Sequence, residues 1–354
     1  MESRELVIRA LKFKKPDRIP IHLDTNPTES DTVGGLIFPF RGWKLNKFQK
    51  RIGIKRSPTS YVVSRIKKGK YYLIDEFGSI WYNPGNETIG QVVNPRVLKN
   101  WEDLEKLKRR IILMRNNKGR WWLTKILFRL FGKKKFRVGS LDQFYFERMH
   151  MLRGFGNLLM DLKRNREKVK ELADILADWY IWLVDQWARQ SADGLFATDD
   201  WGTNHGPFIS PKDFEEVFKP AYQRVIEQIH AHGMYFLLHS CGNIYYLIPK
   251  LIEAEVDCLQ LDQPRMTGLK RLHEFGGKIA YMCVADISKV IPYKTPKEVE
   301  AEVLTMIKVL GKFNGGLLGT TYADLAAVNF PAKNMAANLR AYKRFGKYGK
   351  YPLN

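Results

Sequence analysis

The sequence predicts a (β/α)8 TIM barrel, a single domain over residues 1–354 with an irregular insertion after the first strand. Three observations carry that expectation. Short apolar runs alternate with longer helical stretches through the C-terminal two thirds, the pattern of parallel strands covered on both faces. No Gly-x-Gly-x-x-Gly turn follows any of the runs, which disfavours a doubly wound dinucleotide fold. With 354 residues, 45% of them hydrophobic, the chain can fill one large core.

The strands are expected in order at RIPIHL (18–23), near YYLIDEFG (71–78), and at FRVGS (136–140), GLFAT (194–198), MYFLLHS (234–240), VDCLQL (256–261), KIAYMC (278–283) and GGLLG (315–319). Between them lie helices around 153–192, 211–232, 244–254, 266–275, 296–313 and 331–346. Pro211, Pro296 and Pro331 mark helix starts, and Ser210 and Thr295 are good caps just before two of them. Residues 24–135 are less regular and form the insertion; within it, 100–137 reads as a basic, aromatic-rich lid.

The net charge of +22 attracts anions: nucleic acid, anionic lipid, an acidic partner or a polycarboxylate substrate. Between Lys106 and Arg137 there are thirteen Lys or Arg and no acid, with Trp121, Trp122, Leu123, Ile126, Leu127, Leu130 and Phe131 interleaved at helical spacing. A surface helix, an anionic membrane contact and an acidic protein partner all suit that segment. Nucleic acid does not, because no nucleic-acid-binding motif accompanies the bases. No run of about 18 or more apolar residues is present, the N-terminus lacks an apolar signal core, and three cysteines argue against a disulfide framework. The expectation is a cytoplasmic enzyme.

Chemistry in such barrels is built at the carboxyl ends of the strands. His239-Ser240-Cys241-Gly242-Asn243 closes one strand there, and residues two apart on a strand share a face. His239 and Cys241 thus converge, and both are zinc ligands; the alternative is a hydrogen-bonded core imidazole beside a packed thiol. A catalytic zinc takes three protein ligands. Cys283, ending the next strand but one, is the expected third, with Asp75, Glu76 or Asp200 as oxygen substitutes. Asp199 and Asp200, directly after GLFAT, are candidate acid–base residues, unless Asp199 caps a helix and Asp200 is solvated. Asp75 is a further candidate acid, otherwise a solvated hairpin residue. Tyr145, Trp201, Gln263 and Asp286 are candidate substrate-binding groups, Asp286 being alternatively a cap.

The stretches SRELVIRALKFKKPDRIP, DEFGSIW, LRGFGNLLMDL, ADGLFATDDWGT, KPAYQRVIEQIHAHG, HSCGN, TPKEVEAEV and FPAKNMAANLRAY resemble, in order and spacing, the uroporphyrinogen-decarboxylase superfamily. The resemblance covers nearly the whole chain apart from the basic segment, and implies a (β/α)8 barrel. It points to two chemistries. The decarboxylases are cofactor-free and use N-terminal arginines and a late histidine. Here no arginine-glycine-arginine motif occurs in the first forty residues, where His22 and Asp24 stand instead, and GTTYADLAAVNFP contains no histidine. The cobalamin-dependent methyltransferases are similar at His239-x-Cys241, which in that branch holds zinc and activates a thiol. Their later cysteine would fall within 319–330, where this chain offers Thr320, Thr321, Tyr322 or Asp324. The resemblance therefore implies zinc-assisted methyl transfer, with the corrinoid on a separate partner protein because no corrinoid module lies on this chain. The alternatives are a metal-free decarboxylase or lyase, and a barrel that serves as a non-catalytic scaffold.

Overall fold

The computed structural model describes residues 1–23, 26–38, 50–51, 54–56, 69–84, 90–94, 97–116, 118–322 and 330–348. Asp24, Asp324 and most of the 319–330 stretch singled out above lie outside them. Eight parallel strands form a nearly closed barrel: β1 (Ile21–His22), β2 (Thr32–Gly34), β7 (Phe136–Gln143), β8 (Gly194–Thr198), β9 (Tyr235–His239), β10 (Cys258–Leu261), β11 (Ala280–Cys283) and β12 (Leu317–Thr320), ordered β1-β12-β11-β10-β9-β8-β7-β2.

Seven of the eight expected runs contribute a barrel strand, and GLFAT matches to the residue. The eighth does not. Tyr71–Ile74 is β4 of a separate small sheet, parallel to β3 (Ile54–Arg56) and antiparallel to β5 (Ile80–Asn83), which pairs in turn with β6 (Gln91–Asn94). The barrel takes its remaining strand from Thr32–Gly34, three residues that are too short to carry a periodic signal. The insertion therefore follows the second strand. The expected 153–192 helix is two, Phe155–Arg164 and Arg166–Arg189, and a further helix, Tyr145–Arg153, precedes them, ended by Gly154 at positive φ. Ser210 and Thr295 cap their helices as expected, each accepting a backbone N–H three residues on.

Between β1 and β2 the ring closes through a backbone bond and side chains. Asp31 donates its N–H to the Ile21 carbonyl (2.8 Å) and accepts the Ile21 N–H on its carboxylate (2.8 Å). The same carboxylate takes both terminal nitrogens of the Arg18 guanidinium and the Ser3 hydroxyl. Val7, Ala10 and Leu11 of the N-terminal helix join Phe136, Val138, Leu237, Cys258, Ala280, Met282 and Leu318 in one apolar cluster, so that helix plugs the lower barrel. Above this plug the interior turns polar. No helix among the described residues is long and apolar enough to cross a membrane.

Candidate active site

Strand alternation decides which side chains reach the mouth. Leu237 and Cys258 are partners in register and both lie in the interior cluster, so His239 and Gln260, two residues on, also point inward. Thr198 is the register partner of His239 and shares its face. Past the strand ends, Asp200 and Cys241 continue the same parity.

The three groups meet there. One donor atom each from Asp200, His239 and Cys241 lies within 4.8 Å of the others. His239 Nε2 is 3.3 Å from Cys241 Sγ and 3.4 Å from Asp200 Oδ1, and the Cys241 N–H donates to that same oxygen at 2.8 Å. The other imidazole nitrogen, Nδ1, bonds Gln260 Oε1, and Gln260 Nε2 donates to Asp262 Oδ1 at 2.7 Å. Because Asp262 takes the amide N–H, the Gln260 oxygen must face His239. Nδ1 then carries a proton, and Nε2 is the nitrogen that faces the sulfur and the carboxylate.

Electrostatics follow from this packing. Burial opposes charge on His239, but the Cys241 sulfur and the Asp200 carboxylate outweigh it and hold the imidazole well above its usual value. Burial would raise Asp200; hydrogen bonds from His239 and the Cys241 N–H overcome it and hold the carboxyl low. Burial raises the Cys241 thiol, with His239 pulling the other way.

The loops after β8 and β9 hold this geometry. Gly202 N–H donates to the Cys241 carbonyl (3.1 Å), Asn243 N–H to the Thr203 carbonyl (2.8 Å), and Gly242 N–H to Gln263 Oε1 (3.1 Å). Gly242 has φ +80°, and a Cβ there would lie 2.4 Å from the Gly202 backbone. Gly242→Ala is expected to cost about 2 kcal/mol or more, from left-handed strain plus the overlap, and to loosen the His239–Cys241 geometry. Thermal melting of the variant checks this.

The structure disperses the remaining candidates. Asp199, one residue out of phase with Asp200, is fully buried on the helix side, where it accepts the Phe146 and Glu147 N–H groups and the Tyr222 hydroxyl. It anchors the start of the Tyr145–Arg153 helix. Burial raises its pKa to about 7 against those three hydrogen bonds. Cys283 follows the inward Met282 and so faces the helices, fully buried in the outer core, with burial raising its thiol far up. Asp200 stands where a third ligand was expected of Cys283.

Tyr145 and Trp201 do not line the pocket: both are sealed among aromatic rings, with Tyr145 donating to the Ala221 carbonyl (2.9 Å) and Trp201 to the Tyr222 hydroxyl (3.1 Å). Asp286 is a buried turn residue that accepts the Ser288 and Lys289 N–H groups (2.9 Å each). Asp75 is neither solvated nor at the metal-like cluster. It binds Gly78 N–H, Ser79 N–H, Trp81 Nε1 and Arg148 Nη1, which ties the β4–β5 turn to the helix bearing Glu147.

Two residues at the site escaped the sequence reading. Gln260 was legible as an inward neighbour of His239. Glu147 lies in the first turn of the helix after β7; its Oε2 is buried without a hydrogen-bond partner among the described residues, and burial with the nearby Asp200 and Asp199 raises its pKa to about 8. An acid in the first turn of a helix that follows a barrel strand was the available signal.

Comparison with known proteins bears on the family and the fold. The family model described as uroporphyrinogen decarboxylase (URO-D) matches residues 147–322. A methylated-thiol–coenzyme M methyltransferase of Methanosarcina mazei is 23% identical over 190 residues, 54% of this chain and 48% of that protein. The match thus spans about half the length of that relative. A solved methyltransferase structure from Methanosarcina mazei superposes with a TM-score of 0.64 at 15% identity, covering 98% of this chain and 99% of the other, and so shares the fold.

Proposed function

Starting from the membership of this chain in the uroporphyrinogen-decarboxylase superfamily, we propose that it is a zinc-assisted methyltransferase working between a corrinoid, presented by a separate protein, and a thiol. The observation that carries the reading is the convergence of His239, Cys241 and Asp200 at the polar mouth of the barrel. The donor set fits the ion: one imidazole nitrogen, one sulfur and one carboxylate oxygen, with His239 the deepest of the three and Asp200 more open at the rim, leave a fourth position for a substrate.

Bound there, zinc would lower the pKa of an incoming thiol so that its thiolate forms near neutral pH. The protein's own groups supply the rest. Gln260 and Asp262 fix the His239 tautomer so that Nε2 faces the site. Asp200, held low, stays ionised and contributes negative charge opposite a cation. Glu147, with its carboxyl raised to about 8, holds a proton at neutral pH and keeps excess negative charge out of the mouth. Asp199 and Asp75 position the helix that carries Glu147.

Purified full-length protein is expected to carry about one zinc per chain, with the metal lost in His239→Ala and in Cys241→Ala. Demethylation of free methylcobalamin by a small thiol should stop in chelator and return with zinc. A protein free of metal, with a lyase activity that chelator leaves untouched, would refute the reading and favour a cofactor-free decarboxylase.

A further inference from the structure

The helix Trp122–Phe131 is apolar on both sides. Its inner side packs on the barrel through buried Thr124 and Phe128, with Phe128 against Trp187 and the Thr124 hydroxyl bonded to the Leu36 backbone. The outward side of a surface helix is ordinarily polar or charged. Here Trp122, Ile126 and Leu130, spaced one turn apart, remain 55%, 44% and 66% exposed. Lys125, Arg129 and Lys133 flank this row, all exposed, and make no ion pair among the described residues. Other bases of the segment are engaged: Arg120 with Glu76, Arg137 with Asp193, Lys135 with backbone carbonyls.

We propose that this face binds the surface of an anionic lipid bilayer, with Trp122, Ile126 and Leu130 entering the headgroup boundary and Lys125, Arg129 and Lys133 meeting lipid phosphates and carboxylates. Two features favour lipid over an acidic protein. The apolar row stands on the convex outside of a helix, where it enters a soft interface without needing a complementary groove. The unpaired bases border that row, as in helices that lie along membrane surfaces. The helix precedes β7 and therefore runs down the flank of the barrel, from mouth towards base. A bilayer on the flank leaves the mouth open sideways to a soluble partner.

The test is flotation of the full chain with vesicles. The chain should float with phosphatidylcholine vesicles containing phosphatidylserine at low salt, at least about tenfold less with phosphatidylcholine alone, and progressively less as salt rises. Reversing the charges (K125E, R129E, K133E) should lower binding by about tenfold or more, and so should the separate apolar variant Trp122→Ser with Leu130→Ser, which keeps every charge. All five positions are exposed, and unchanged melting temperatures would verify folding. Failure to float with anionic vesicles would overturn the proposal, as would binding that survives either variant. Salt-sensitive capture by polyglutamate without vesicle binding would overturn it too, and assign the face to an acidic protein.

Discussion

Replacing Asp75 with alanine is expected to cost about 3–5 kcal/mol of folding stability, read as a shift in the denaturation midpoint. Asp75 and Arg148 are 3% and 2% exposed, and their 3.0 Å ion pair lies out of water. Arg148 Nε already lacks a hydrogen-bond partner among the described residues, so deleting the carboxylate leaves a buried guanidinium with the Gln143 amide oxygen and the face of Phe77. The Gly78 and Ser79 amides and the Trp81 indole lose their acceptor in the same step. Removing Arg148 as well, as Asp75→Ala with Arg148→Met, should cost less than the sum of the single changes, since no uncompensated charge then remains. A single-variant loss below about 1 kcal/mol would mean that water reaches the pair and that the turn does not brace the helix.

Gln260→Leu is the second large expectation: a zinc affinity about 10–100-fold weaker in competition with a chelating dye. Leucine nearly preserves the shape but removes the acceptor that keeps the proton on His239 Nδ1. The imidazole is then free to turn or to change tautomer, and ligand geometry is no longer prepared before the metal arrives. Gln260→Glu keeps an oxygen at that point and should retain most of the affinity. Equal losses in both variants would show that the oxygen facing His239 Nδ1 does not prepare the site.

The barrel was largely legible in the sequence because strands buried on both faces write themselves as continuous apolar runs, from FRVGS to GGLLG. Thr32–Gly34 was not, since three residues carry no period. Tyr71–Ile74 has strand composition, but composition does not say which sheet a strand joins; only the turn Asp75–Gly78 returning the chain to Ile80–Asn83 settles that.

The pair His239 and Cys241 followed from parity along one strand. Parity also separates Asp199 from Asp200 and turns Cys283 outward, but only once the register with Met282 is known. Tyr145 and Trp201 misled because an aromatic residue past a strand end packs behind the sheet as readily as over the mouth. Glu147 reaches the site through the start of a helix, whose direction the sequence does not specify.

The alternation of β9 has a consequence for tolerated change. Deleting one residue between Tyr235 and His239 would leave the strand as apolar as before and its ladder to β8 and β10 intact in length, yet every side chain beyond the cut would exchange sides. A hydroxymethyl group from Ser240 would then look into the barrel, and the imidazole would be pressed among the surrounding helices. A change of length is accordingly expected to be tolerated only away from the strand, as in the stretch between β2 and β7, where more than a hundred residues already separate neighbouring staves.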